Sequence, residues 1–232
     1  MLIDFVPYMA EGVLVTLQIS FFSLILTIVA GFALALCRMA SNPLVRWPAT
    51  MVVEIFRGTS AIVQLFWAFY VLPFFGLELS PLVSAVVVLG LNEGSYFSEV
   101  VRGAIVGVPK TQKESALALG YSPVSRFQRI ILPQALVLMI PPGTNVIISL
   151  VKFSSLASLV TVTDLTYRAL AVRSSIGQTT ELFTLILLIY FAISMVISLT
   201  MRGVENSVVT RLGLGNVGSH KPSRIRLGKR LS

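Results

Sequence analysis

Residues 12–37 read GVLVTLQISFFSLILTIVAGFALALC. No charged side chain interrupts this run, and it exceeds the about 20 apolar residues that a helix needs to cross a bilayer core. It predicts a membrane-spanning helix. The run is longer than the apolar core of a secretory signal, and residues 1–11 hold Asp4 and Glu11 but no Lys or Arg. The basic flank of a signal peptide is missing, so a retained span is expected. Composition agrees: of 232 residues, 55% are hydrophobic and 12% charged, with a mean hydropathy of +0.87. A soluble domain carries roughly twice that charge. The one cysteine, Cys37, excludes an internal disulfide, and the one histidine, His220, lies in a basic C-terminal stretch. Neither supports a metal site built from several His or Cys ligands.

Outward from this run, Arg38, Asn42, Pro43, Arg46 and Pro48 form a polar joint before a second apolar run, 49–72, which includes Glu54 and Arg57. Pro73, Gly76, Glu78 and Pro81 make a turn, and a third run, 82–101, carries Asn92, Glu93, Ser95, Tyr96 and Glu99. Residues 102–135 are mixed and basic. A fourth run, 136–163, contains Pro141, Pro142 and Lys152, and a fifth, 183–201, has no charge. The expectation is an all-α membrane protein of about five spans, with an N-terminal segment 1–11, a transmembrane domain 12–202 and a basic tail 203–232.

The net charge of +8 reads as orientation. With the N-terminus outside, Arg38, Arg46, Arg102, Lys110, Lys113, Arg126, Arg129, Arg202 and the tail cations lie inside, and only Arg168 and Arg173 lie outside. Such a bias marks cytoplasmic loops. The predicted topology is N-out and C-in, with loop 102–135 in the cytoplasm, and the basic balance then gives no reason to expect a nucleic-acid partner.

Within that loop, Lys113-Glu114-Ser115-Ala116-Leu117-Ala118-Leu119-Gly120 is followed by Ile130-Ile131-Leu132-Pro133. Thr111 and Glu114 have the spacing of a capping box, which predicts a helix starting at Thr111. Gly120 suits a left-handed stop, and Ser122-Pro123 an N-cap with a first-turn proline. The loop therefore reads as helix, glycine turn, helix. A short cytoplasmic helix with small residues is a docking element for a partner chain.

Glu114, Ala116, Gly120, Ile130, Leu132 and Pro133 fall at the spacing of the EAA loop of bacterial ABC-importer permeases, with Ser115 where Ala is usual. Val15-Thr16-Leu17, Glu54-Ile55-Phe56-Arg57-Gly58-Thr59 with Gln64, Tyr96 to Arg102, and Lys152-Phe153-Ser154-Ser155-Leu156 extend the resemblance over roughly residues 12–202. They resemble the permeases of histidine, glutamine and arginine uptake systems, with opine and ectoine carriers as related branches. Ser60, Thr111, Phe153 and Ser154 depart from the family's usual residues. The resemblance implies a type I importer permease of the bacterial inner membrane whose coupling helix (Glu114, Ser115, Ala116, Gly120, with Leu132 and Pro133 beyond it) docks into an ATP-binding-cassette ATPase dimer. It implies a second permease subunit, identical or a sister chain, and a periplasmic or lipid-anchored solute-binding protein. ATP and Mg would act at the ATPase, since this chain has no G-x-x-x-x-G-K-[ST] loop and needs no cofactor of its own.

Ionisable groups inside a membrane are costly and face protein or wet cavities. Glu54 and Arg57, at i and i+3, can pair on one helix face, and Glu99 can pair with Arg102. Asn92, Glu93 and Tyr96 are cavity candidates. A zwitterionic solute needs both charge signs, which Lys152 or Arg57 with Asp164 or Glu93 would supply. Ser154 and Ser155 join the candidates, although serines also serve helix packing. Gly213, Gly215 and Gly218 spell G-x-G-x-x-G without the strand and helix that a dinucleotide site requires. Two rivals remain. A small secondary transporter or channel would work without an ATPase and predicts inverted repeats, and the halves show no repeat of the charged pattern. A membrane-embedded enzyme needs a nucleophile, base or metal cluster on facing spans, and the sole histidine lies in the tail.

Overall fold

A computed structural model describes residues 5–177 and 179–211. The described residues form helices and short connections, with no strand among them. In chain order the helices are α1 (Val6–Arg38), α2 (Pro43–Gly58), α3 (Ala61–Phe66), α4 (Pro81–Gly107), α5 (Lys110–Ala118), α6 (Pro123–Arg126), α7 (Leu132–Phe153), α8 (Leu165–Ile176) and α9 (Thr179–Arg211). A π-helical turn, Phe127–Ile131, joins α6 to α7, and a 3₁₀ segment, Ser154–Val160, prolongs α7, so Pro123–Val160 is one continuous helical rod. Among the described residues three helices, Pro7–Arg38, Pro123–Val160 and Thr179–Thr210, are long and apolar enough to cross a membrane, or up to four if the bent pair α2–α3 counts as one span.

The centre of the fold is the pair α1–α4. Without water to squeeze out, membrane helices associate through small residues and interhelical hydrogen bonds, and this pair has both. Ser23 Oγ on α1 donates to the Val86 carbonyl (3.2 Å), and Thr27 Oγ1 donates to that of Gly90 (3.2 Å). Gly31 leaves no room for a Cβ, which would stand 2.7 Å from the Phe97 ring and 3.1 Å from the Gly94 carbonyl. One buried cluster joins α1, α4 and α7 near Ile19, Leu89 and Leu150, and another joins α1, α4 and α7 near Ala35, Val101 and Ala135. A third ties the start of α1 to α8 and α9 through Met9, Leu165, Ala169 and Leu182.

Several expectations are corrected. The run 49–72 is not one helix: Thr59 and Ser60 are extended, and the axis bends by 106° between Pro43–Gly58 and the following segment, Ala61–Phe75. The freed polar groups have local partners. Gln64 Nε2 donates to the Phe56 carbonyl (2.9 Å) and to Thr59 Oγ1 (2.7 Å), and Asn92 Nδ2 also donates to Phe56 (3.0 Å). The fourth run begins in a helix at Pro123 rather than at 136, and α4 extends to Gly107, so the loop proper is shorter than 102–135. Arg102, Arg126 and Arg129 lie in helix, since a helix can continue past the apolar run that defines a span. The capping box does not form. Pro109 takes the N-cap position and the helix starts at Lys110 with no side-chain cap, which places Thr111 already inside it. Lys113 Nζ instead donates back to the Ile105 carbonyl (3.0 Å) at the end of α4. The tail beyond 211, with Gly213, Gly215, Gly218 and His220, lies outside the described residues, as do residues 1–4.

Candidate solute cavity and coupling helix

The glycine stop forms as its sequence predicts. Gly120 has φ +75°, and the Tyr121 N–H donates to the Ala116 carbonyl (3.1 Å), closing the end of α5. Ser122 then caps α6, its hydroxyl accepting from the Ser125 N–H (3.3 Å), with Pro123 at the first helical position. Ala116 is buried, whereas Glu114 and Ser115 are exposed, and Leu117 and Leu119 are 62% and 75% exposed. Leu132 and Pro133 sit at the start of α7, half-buried, and do not share that exposed face.

The break between α2 and α3 opens onto a cavity of about 410 Å³ lined by Ser60, Asn92, Glu93, Tyr96, Asn145 and Ser149, together with Phe153. Asn92 is fixed from two sides, since its amide donates to the Phe56 carbonyl and to Gln64 Oε1 (3.0 Å). Glu93 is 3% exposed and lines the cavity without a hydrogen bond or ion pair to any described residue. Tyr96 stands at the rim with the Arg57 guanidinium 5.4 Å from its ring centroid.

Arg57 does not pair with Glu54. It reaches Glu99 on α4 (3.2 Å), which also binds Arg38 of α1 (2.7 Å) and Arg102 (2.8 Å). Glu54 is 63% exposed and lies 3.8 Å from Arg38. Glu99 is the better-desolvated carboxylate and sits where α1, α2 and α4 meet, so it gathers the guanidiniums. The Glu99–Arg102 pair is as expected, but its wider role depends on chain segments far apart in sequence.

The other charge partners do not converge on Glu93. Lys152 lines a separate groove of about 610 Å³ between α7 and α9, with Tyr190, Ser194, Ser198 and Arg202. Ser154 is buried and donates to the Val151 carbonyl, while Ser155 is half-buried and donates to that of Lys152, each at 2.7 Å. Asp164 is fully buried and caps α8, its Oδ1 accepting from the Tyr167 N–H (2.9 Å), while the Leu165 N–H donates to Thr16 Oγ1 (3.2 Å). Asp164 lies between the spanning helices, and burial pushes its carboxyl up to about 6, only partly offset by N–H donors from Tyr167 and Thr166. Helix α8 itself was not expected. Its signal was Asp164 before it and Gly177, at φ +70°, after it.

The family described as "Binding-protein-dependent transport system inner membrane component" matches residues 15–210. The chain belongs to this family. As an inner membrane component it is a multi-pass protein of the bacterial inner membrane. Among the relatives of this component, the probable amino-acid ABC transporter permease y4tF of Sinorhizobium fredii is 41% identical over 88% of this chain and 89% of its own length. The L-cystine transport system permease TcyB of Bacillus subtilis is 35% identical over 87% of each. The glutamine transport system permease GlnP of Escherichia coli is 31% identical over 86% of this chain and 92% of its own. Of solved structures, an amino acid ABC transporter crystallised with histidines superposes with a TM-score of 0.84 at 27% identity, covering 89% of this component and 96% of that chain. The MetNI methionine transporter, with a TM-score of 0.73 at 21% identity over 88% and 98%, shares the fold.

Proposed function

We propose that the chain is the permease subunit of an ATP-driven importer of polar amino acids or amino-acid-like solutes. The observation that carries this is the short helix α5, stopped by a left-handed Gly120 and exposing Glu114, Ser115, Leu117 and Leu119, in a chain whose relatives are named as amino-acid ABC transporter permeases. Exposed leucines on a helix this short call for a covering partner, and an ATPase cleft would provide it.

In this reading the topology is N-out and C-in, and α4 is the third of five crossings. Its polar residues Asn92, Glu93, Ser95 and Ser98 are buried against protein, so they do not meet lipid. The spans near 12–37, 49–72, 82–101, 136–163 and 183–201 form one permease domain, the α4–α7 loop faces the ATPase dimer, and the basic tail stays cytoplasmic. A second permease, the same chain or a sister, completes the pathway, and a solute-binding protein docks outside. ATP and Mg act at the ATPase. Closure of the ATPases would push on α5 and, through Leu132 and Pro133 at the base of α7, reorient the helices around the Glu93 cavity. The solute passes Asn92, Glu93 and Tyr96. Lys152, with Ser154 and Ser155 beside it, belongs to the pathway once a second subunit closes the α7–α9 groove. Arg57 positions Tyr96, and Asp164 holds α8.

Proteoliposomes holding this chain, its ATPase and its binding protein should take up solute with ATP, and an ATPase-dead partner should abolish uptake. Gly120→Pro should lose ATPase co-purification and uptake together. Uptake by the chain alone would favour a secondary transporter or channel.

A further inference from the structure

We propose that Glu93 is the specificity-determining contact for a cationic group, and that its cavity takes amino-acid-like solutes of net positive charge ahead of neutral zwitterions. This rests on the permease reading above.

The Glu93 carboxylate is the only ionisable group among the described residues lining the cavity besides the phenol of Tyr96. It is 3% exposed and makes no hydrogen bond or ion pair with a described residue. Neither cation nearby lines this cavity. Arg57 lies behind the Tyr96 ring and is held by Glu99 at 3.2 Å, and Lys152 lines the groove against α9. A buried carboxylate without a counter-ion is costly and is relieved when a cation enters. A zwitterion that brings its ammonium to Glu93 finds no matching cation in the same cavity for its own carboxylate. A solute with a second ammonium or a guanidinium can satisfy Glu93 with that group and keep its amino-acid end toward the polar rim, where Asn145 is exposed and Ser149 is half-buried.

The test uses the purified permease–ATPase complex in nanodiscs without the binding protein, so that only the permease selects. The probes are arginine and citrulline, which match in length and terminal shape but differ in charge. Arginine should bind at least about tenfold tighter than citrulline to the parent complex, since a site built for a polar group rejects the analogue that lacks it. Glu93→Gln should bring the ratio close to one, and Glu93→Asp should keep most of it. A parent ratio near one, no binding of either probe, or a full preference retained in Glu93→Gln overturns the proposal. The parent ratio decides even if a variant fails to assemble. ATP-driven uptake with the binding protein, measured in parallel, separates the two levels: a flat ratio with intact uptake removes only the cationic preference, whereas loss of ATP-driven uptake removes the permease reading.

Discussion

Glu99 and Glu54 show how burial sorts two similar carboxylates. Glu99 neutralises guanidiniums from α1 and α2 as well as Arg102 of its own helix, so Glu99→Gln should cost about 1–3 kcal/mol, the range for charged hydrogen bonds left unmatched. Glu54, 63% exposed, should cost under about 0.5 kcal/mol as Glu54→Gln, like other exposed pairs. Thermal unfolding of the detergent-solubilised protein compares the two. Asp164 is distinguished by pH. Its carboxyl is raised from 3.8 to about 6, so its contribution to folding is fullest below 3.8 and is lost as pH rises through 6. Asn is as good an N-cap as Asp and does not titrate. The parent should therefore lose stability relative to Asp164→Asn between pH 4 and pH 7, by on the order of 2 kcal/mol. Equal pH dependence of the two melting curves would count against it. The pairing of Glu99 with Arg102 was legible in the sequence because it spans one helical turn. The contacts to Arg38 and Arg57 were not, because they depend on how α1 and α2 pack on α4.

Among the helices, close approach decides which glycines matter. At Gly12 of α1 an added Cβ would meet the Leu165 Cα at 2.9 Å and the Asp164 carbonyl at 3.1 Å, both backbone at the start of α8. Gly12→Ala should destabilise by about 1–3 kcal/mol, as overpacking does. At Gly103 of α4 nothing lies within 4 Å, and Gly103→Ala should be neutral or stabilising by up to about 1 kcal/mol, from helix propensity alone. Denaturation of the two variants tests the contrast. The ends of α5 and the start of α6 could be read from sequence because Gly120, Ser122 and Pro123 act on their own backbone. The break at Thr59 is marked in sequence only by Arg57-Gly58-Thr59-Ser60 between two apolar stretches, and it was not legible as a bend because the groups that satisfy it include Asn92, on another helix. Helix α8 is hidden for a different reason: Asp164 reads in sequence equally as a candidate solute contact, and Arg168 and Arg173 give the segment the look of an outer loop. Arg168 in fact binds Glu11 (2.6 Å) and the Tyr8 carbonyl (2.9 Å), fastening α8 to α1.

For the molecule as a whole, the proposed orientation makes a labelling prediction. In a Cys37→Ser background, Leu77→Cys, in the turn before α4, should react with an impermeant maleimide on intact spheroplasts. Leu119→Cys, at the end of α5, should react only after permeabilisation. Both side chains are exposed, at 59% and 75%, so access reports sidedness and not burial. The reverse pattern would invert the topology. The all-helical membrane class was legible from apolar runs that exceed a bilayer's needs. The division of charged groups between a cavity and a separate groove was not, because α7 turns Lys152 toward α9 and Ser149 toward α4 within one helical turn.

The 106° bend has a consequence for the lipid around the protein. The segment that rises from it, Ala61–Phe75, reaches only about 22 Å at the helical rise per residue, short of the about 30 Å of a typical hydrocarbon core. A short apolar crossing is accommodated by local thinning, at fractions of a kcal/mol per Å. Helix α2 leaves the same joint at a steep angle and exposes Leu44, Trp47, Met51 and Ile55, apolar surface that can lie against acyl chains at the interface. In the proposed orientation hydrophobic mismatch would therefore be concentrated on this one flank, and the bilayer is expected to thin beside the bend while the long α1 and α9 meet it at full thickness.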